Sequence, residues 1–182
     1  CSQSRGLGDV YKRQPMSTIA GQLAFVVGSY HLLKHNKGKG VMIGHMDDMD
    51  PRVVTVIGAG VAGTQSILKA IDNKALVKVV DSSQSKLDDL KSKYGTENVE
   101  YILSSKDSIQ VSVNESDLVI GSVYVVGKEA PKVITKDMLS SMNPGTVMVD
   151  VSIDQGGCFE TSKPTTHDLS LIHISEPTRL AT

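Results

Sequence analysis

The chain reads as an α/β domain: a doubly wound parallel sheet with flanking helices, preceded by a long N-terminal helix. Three features carry that reading. Apolar runs of strand length alternate with stretches of helical periodicity through the middle of the chain. A glycine segment, Gly58-Ala59-Gly60-Val61-Ala62-Gly63, directly follows one of those runs, Arg52-Val53-Val54-Thr55-Val56-Ile57. The next run, Leu76-Val77-Lys78-Val79-Val80, closes on an acid, Asp81.

Taken in order, the first element is a helix capped by Ser17 and running to about His35, with Ile19, Leu23, Val26, Tyr30 and Leu33 along one face. Asn36-Lys37-Gly38-Lys39-Gly40 ends it with glycine C-cap chemistry. A loop through His45-Met46-Asp47-Asp48-Met49-Asp50-Pro51 leads to the first strand, 52–57, and the glycine segment opens a helix reaching about Asn73. The second strand is 76–80. Leu87, Leu90 and Tyr94 mark the next crossover helix, and Val99-Glu100-Tyr101-Ile102-Leu103 is the third strand. Helix signals over 107–113 are modest. Asp117-Leu118-Val119-Ile120-Gly121 is the fourth strand. Thr135 is suited to cap a short helix bearing Met138, Leu139 and Met142, and Asn143-Pro144-Gly145 turns the chain into a fifth strand, 146–151. Such short, continuous apolar strands belong to a sheet covered on both faces, and right-handed crossovers make it parallel.

Residues 1–14 and 169–182 carry no apolar pattern, and both resemble peptides translated from sequencing-library adaptor at the edges of a fragmentary gene. Natural disordered ends are the alternative. Either way the domain is 15–168, and the ends are assigned no function.

Composition bounds the partners. Lys plus Arg (19) nearly balance Asp plus Glu (20), for a net charge of -1, so nucleic-acid or anionic-membrane binding has no electrostatic support. The apolar share is 40% with only 4% aromatic, which suits a core of Val, Ile, Leu and Ala. No apolar stretch approaches the ~20 residues of a membrane span. Cys1 and Cys158 suggest no disulfide framework. A soluble, cytoplasmic protein is the default expectation.

The glycine segment has the spacing of a Rossmann dinucleotide fingerprint. Gly58 allows the tight turn, Gly60 lets backbone approach a pyrophosphate, and Gly63 lets the helix pack closely on the strand. The helix N-terminus, entered through Val61 and Ala62, then faces the phosphates. Asp81 stands about 20 residues beyond, where a carboxylate accepts hydrogen bonds from the ribose hydroxyls and repels a 2′-phosphate. The cofactor expected is therefore NAD rather than NADP.

In an open parallel sheet, ligands lie outside the carboxyl ends of the strands. Ser104 and Ser105 follow strand three, Ser122, Val123 and Tyr124 follow strand four, and Ser152-Ile153-Asp154-Gln155-Gly156-Gly157-Cys158 follows strand five. Asp154 is nearest the expected nicotinamide. It could orient the ribose, hold an ammonium or shuttle a proton, and from position alone a simple turn acid is an equal reading. Cys158 lacks a base partner in the sequence and reads as a small buried residue. His31 and His35 have metal-compatible spacing, but no further ligand completes a site. His45 with Asp47, Asp48 and Asp50 lacks the glycine and terminal Glu of a calcium loop. No metal is expected.

The run from Asp150 to His167, with Asp154-Gln155-Gly156-Gly157-Cys158-Phe159-Glu160 at its centre, closely resembles the alanine dehydrogenases. So do Pro15-Met16-Ser17-Thr18-Ile19-Ala20-Gly21, Asp117-Leu118-Val119-Ile120-Gly121 and Lys128-Glu129-Ala130-Pro131-Lys132. The resemblance covers about 15–168. It implies reversible oxidative deamination of L-alanine to pyruvate and ammonia with NAD as hydride acceptor, in a homohexamer. It places Asp154 as the catalytic aspartate. It also places Ser17, Asp81, Lys86, Ser104, Val123, Tyr124, Val151, Ile153 and Lys163 at cofactor-contacting positions, with Tyr124 and Lys163 differing in type from the family's usual residues. Residues 44–50 depart from the Gly- and Pro-rich loop usual there, which touches no catalytic position. The family's substrate domain, with its catalytic histidine and carboxylate-binding basic residues, has no counterpart here; His31, His35 and His167 do not match it. The chain is therefore expected to be a fragment without useful turnover. The alternative is the similar nucleotide-binding subunit of proton-translocating transhydrogenases, whose corresponding loop ends differently.

Asp81→Ala should weaken NAD binding about tenfold, the size of one or two lost hydrogen bonds, and narrow the preference over NADP. Calorimetric titration of both nucleotides checks this; equal affinities in wild type and variant would remove Asp81 from the site.

Overall fold

The computed structural model describes residues 4–33, 38–44, 50–125, 129–162 and a short strand at 172–174. The elements are α1 (Ser4–His31), β1 (Val53–Ile57), α2 (Val61–Asp72), β2 (Leu76–Asp81), α3 (Gln84–Tyr94), β3 (Val99–Leu103), α4 (Lys106–Glu115), β4 (Leu118–Gly121), α5 (Lys136–Ser140), β5 (Val147–Asp150), a 3₁₀ turn (Ile153–Gln155) and β6 (Ile172–Ile174). The six strands lie in the order β3-β2-β1-β4-β5-β6. Strands β1 to β5 pair in parallel, as expected for the doubly wound α/β class. The order reverses between β1 and β4, which opens the ligand crevice above those two strands.

Alternate side chains of each strand feed two cores. Val54, Val56, Val77, Val79, Leu118, Ile120, Val147 and Val149 pack under α1, α2 and α3 with Phe25, Leu32, Ile67 and Leu87. Ile57, Val80, Val119 and Met148 face the other way, onto Ile109, Val113, Ile134, Met138 and Phe159. Lys78 sits on this second face and is satisfied by ion pairs to Glu115 and, at 3.7 Å, Glu100.

The N-terminal helix departs from expectation in three ways. It spans 28 residues with Pro15 inside it, so Ser17 lies within a continuous helix rather than capping one. A proline removes one backbone bond and usually marks a boundary, but a long helix can absorb that loss. Its C-terminus falls at His31, and His35 lies outside the described residues. The expected apolar face is the uncovered one: Ile19, Leu23, Val26 and Tyr30 are exposed, as are Met16 and Val27. What α1 buries instead is Gly21, Ala24, Phe25, Gly28 and Leu32. The reason is proximity. A Cβ on Gly21 would sit 2.1 Å from the Ala62 carbonyl oxygen, and one on Gly28 would sit 2.5 Å from Leu118. The Ser66 hydroxyl donates to the Gly21 carbonyl at 2.7 Å, and Gln22 meets Gln65 at 3.0 Å. Small residues let α1 lie against α2 and the sheet, so the bulky row faces outward.

Smaller differences have local causes. The modest signals over 107–113 form a full helix, because Ser105 and Ser108 cap it reciprocally. Thr135 occupies the N-cap of α5 but makes no capping bond; Glu160 accepts from the Lys136 N–H at 2.8 Å instead. Strand β6, in a segment read as patternless, pairs antiparallel with β5 (Val147↔Ile174, Val149↔Ile172). A three-residue strand is too short to show periodicity and is defined by its pairing alone. No helix among the described residues is long and apolar enough to cross a membrane.

The α1 geometry gives a contrast that chemical denaturation can read. Phe25→Ala, at 4% exposure, should cost about 3–5 kcal/mol. Leu23→Gln, at 53% exposure, should stay within about 0.5 kcal/mol. Equal losses would contradict the packing face assigned to α1.

Candidate nucleotide-binding site

The crest of the sheet is built around the turn from β1 to α2. Gly58 has φ 99°, a conformation open to glycine, and its N–H donates to the Val80 carbonyl at 2.8 Å. A Cβ there would fall 2.7 Å from the Ser122 carbonyl oxygen. Gly63 is as tightly held: its Cβ would meet the Gly58 oxygen at 1.8 Å and Ser122 Oγ at 2.6 Å. Gly60 is different. It is the N-cap of α2, receives no side-chain capping bond, and has nothing within 4 Å of the place a Cβ would occupy. The first turn of α2, Val61 and Ala62 included, therefore presents backbone N–H groups without a side-chain cap, beside open space.

Asp81 flanks this opening. It is 7% exposed, and its carboxylate accepts from the Ala59 N–H at 2.7 Å and the Ser83 N–H at 2.8 Å. Lys86 Nζ stands 3.9 Å away. The acid is thus fixed against the glycine turn itself, and a carboxylate with four lone-pair directions keeps capacity for further donors. Ser104 continues the crest; its N–H donates to the Asp81 carbonyl at 2.9 Å. Ser17, half-buried on α1, lies one helical turn before Gly21 on the same face, and Gly21 rests on Ala62. That register puts Ser17 beside the start of α2.

On the other side of the switch, Val123 is half-buried and Tyr124 is exposed. The Val123 carbonyl accepts from the Ser152 hydroxyl at 2.7 Å, and the Val151 N–H donates to the Gly121 carbonyl at 2.8 Å. Ile153 and Asp154 follow on the 3₁₀ turn, with Ile153 half-buried and Asp154 exposed. The structure thus gathers Gly58, Gly60, Val61, Ala62, Gly63, Asp81, Ser104, Val123, Tyr124, Val151, Ile153 and Asp154 on the carboxyl ends of the strands, with Ser17 brought in by α1. Lys163, His35, His45 and His167 lie outside the described residues. His31 packs edge-on against Tyr30 at 5.5 Å. Among the described residues, no group of three or more His, Cys, Asp or Glu side chains comes together.

Three residues at the crest were not singled out by pattern. Ser122, buried, donates to the Gly58 carbonyl at 2.7 Å and braces the glycine turn from β4. Asp150, buried, accepts from the N–H groups of Ser152 at 2.9 Å and Cys158 at 2.8 Å. Lys132 reaches the Gly157 carbonyl at 2.8 Å and also the Gly156 carbonyl. Only an acid at a strand end, the same signal that marked Asp81, could have pointed to Asp150. Cys158 is fully buried, and its thiol donates to Asp150 at 3.4 Å. Burial first, then the Asp150 charge, pushes that thiol well above the usual range, so it stays neutral and serves packing.

The fold and crest define a Rossmann-type domain, and comparison with known proteins sharpens this. The family described as alanine dehydrogenase/PNT, C-terminal domain, matches residues 24–179. This chain belongs to that family. It is 48% identical over 153 residues to an alanine dehydrogenase of Halomonas elongata, covering 84% of this chain and 41% of the relative. Among solved structures it resembles an L-alanine dehydrogenase with a TM-score of 0.83 and 35% identity, over 91% of this chain and 47% of that one. It also resembles a transhydrogenase of Sinorhizobium meliloti, with a TM-score of 0.69 and 25% identity, over 82% and 42% of the two chains. The resemblance read from the motifs is borne out. The chain spans about two fifths of its curated relatives' length, 41% for the one from H. elongata.

The buried thiol sets a pH dependence with a definite sign. Below about pH 8.5, folded and unfolded chains both keep the Cys158 proton. Above it the unfolded chain releases that proton and the folded one does not. Stability should then fall by up to about 1.4 kcal/mol per pH unit from this group. Thermal melts from pH 7 to 10 should show a shallower decline for Cys158→Ala, whatever its starting stability; parallel curves would contradict a neutral buried thiol.

Proposed function

We propose that this chain is the NAD-binding domain of an alanine dehydrogenase, holding NAD(H) across the crest of the sheet. The observation that carries this is the uncapped, open N-terminus of α2 at Gly60, set beside an Asp81 carboxylate that the same turn's backbone holds in place. The pyrophosphate would lie over Gly60, Val61, Ala62 and Gly63, and the adenine ribose against Asp81, with Lys86, Ser104 and Ser17 around it. The nicotinamide half would extend towards Val123, Tyr124, Val151, Ile153 and Asp154, with Lys163 as a further contact. A buried carboxylate at the ribose disfavours a 2′-phosphate, so NADP should bind more weakly.

In the complete protein the reaction is the reversible oxidative deamination of L-alanine to pyruvate and ammonia. Bound NAD supplies the hydride acceptor. Asp154, exposed on the outer bend of its turn, is placed to hold the substrate ammonium or to take a proton beside the nicotinamide. A base and the cations for the substrate carboxylate come, in this reading, from sequence beyond these residues. The enzyme is expected to be a cytoplasmic homohexamer, and the exposed apolar row on α1 is surface that such an assembly would bury. A transhydrogenase subunit is the second reading; the greater likeness to the alanine dehydrogenase structure and the Asp154-Gln155-Gly156-Gly157 turn favour the first.

In a full-length protein carrying this domain, Asp154→Asn should lower kcat about 100-fold or more while NADH affinity changes less than about threefold. Steady-state kinetics with a fluorescence titration of NADH checks this. Undiminished turnover would remove Asp154 as the catalytic acid, and no binding of NADH by wild type at millimolar concentration would end the nucleotide reading.

A further inference from the structure

The turn that carries Asp154 has few contacts of its own. Its 3₁₀ segment spans Ile153–Gln155, makes no side-chain capping bond and leaves Asp154 in solvent. What shapes it lies underneath and behind. Asp150, the last residue of β5, is 8% exposed. One of its carboxylate oxygens accepts from the Ser152 N–H at 2.9 Å, where the turn begins. The other accepts from the Cys158 N–H at 2.8 Å, where the turn returns, and also from the Phe159 N–H at 3.4 Å and the Ser162 hydroxyl. A single carboxylate therefore pins both feet of the excursion.

Lys132 closes the outer side. Its ammonium receives the carbonyls of Gly156 and Gly157, which sit at φ 84° and 75°. Those two left-handed residues turn their carbonyls to one cation. A Cβ on Gly157 would lie 2.7 Å from Asp150 Oδ2, so the return path runs directly over the acid. The strand-like segment that carries Lys132 is itself laced to the loop: Ala130 N–H to Gln155 carbonyl at 3.0 Å, Val133 N–H to Cys158 carbonyl at 2.8 Å, and Glu160 N–H to Ile134 carbonyl at 2.8 Å. An anion below and a cation beside thus fix a turn that has no strong internal reason to keep its shape.

We infer that Asp150 and Lys132 are positioning residues, which hold the Asp154 turn at the height where it meets the nicotinamide half of the dinucleotide. This rests on the dinucleotide reading above. Neither residue touches the ligand; each acts through Ser152, Ile153 and Asp154. Asp150→Asn replaces one acceptor with a donor that faces a backbone N–H, and the turn loses a foot. Lys132→Met keeps the aliphatic stem and removes the grip on the two carbonyls, on a side chain whose residue is otherwise exposed.

The test compares two probes on the chain itself: NADH, and ADP-ribose, which shares every group except the nicotinamide. Both variants should lose about tenfold in NADH affinity, the size of one lost contact, with ADP-ribose affinity within about twofold of wild type. A merely structural role would lower both ligands together, because the fold holds both halves. Proportional loss of the two ligands, or no loss of either, overturns the inference while leaving the dinucleotide site standing. Wild type that binds neither probe removes the site and the inference together. If Asp150→Asn does not fold, as circular dichroism would show, Lys132→Met decides the matter alone.

Discussion

Between the end of β1 and the start of α2 there is no room for a side chain, and the rest of the crest follows from that. The Gly58 turn is pressed against β4 at Ser122, and Gly63 is pressed against the Gly58 carbonyl. Only with both approaches filled by backbone can α2 begin directly over the strand. Its N-terminus then opens at the switch between β1 and β4, the place where a parallel sheet leaves space. A bulkier residue at either position would displace the helix, and with it the donors that face an anion.

Carboxylates organise what the glycines leave open. Asp81 at the end of β2 and Asp150 at the end of β5 are both buried, and both are satisfied mainly by backbone N–H groups of the loops they serve. A buried charge held this way costs little and orders the backbone that solvates it. The two differ in outlook. Asp81 borders the open ground near Gly60, whereas Asp150 is enclosed by Cys158, Phe159 and Ser162. One acid is a candidate ligand group, and the other is a fastening.

Much of this was legible in the residues. Continuous apolar runs gave away the parallel strands, since strands covered on both faces need no alternation. The glycine spacing and Asp81 located one half of the crest, and the run through Asp154 located the other. What was hidden depends on distance rather than pattern. The row Ile19, Leu23, Val26 and Tyr30 has ideal helical spacing, yet Gly21 and Gly28 decide which face of α1 packs, because they alone allow close approach. Pro15 and Ser17 look like a helix start and are an interior. Lys132 and Asp150 stand far apart in sequence and meet only across a loop. Strand β6 is defined by a partner and not by its own composition.

The Ser122 brace has a mechanical consequence. Its hydroxyl grips the Gly58 carbonyl, its neighbour Val123 receives the Ser152 hydroxyl, and Ser152 is a foot of the turn bearing Asp154. These links run along β1, β4 and β5, adjacent strands whose spacing, about 4.8 Å each, is set by the hydrogen-bond ladder. The phosphate cradle and the acidic turn are therefore marks on one rigid ruler. A molecule bridging them is gauged by its length before any single contact is judged.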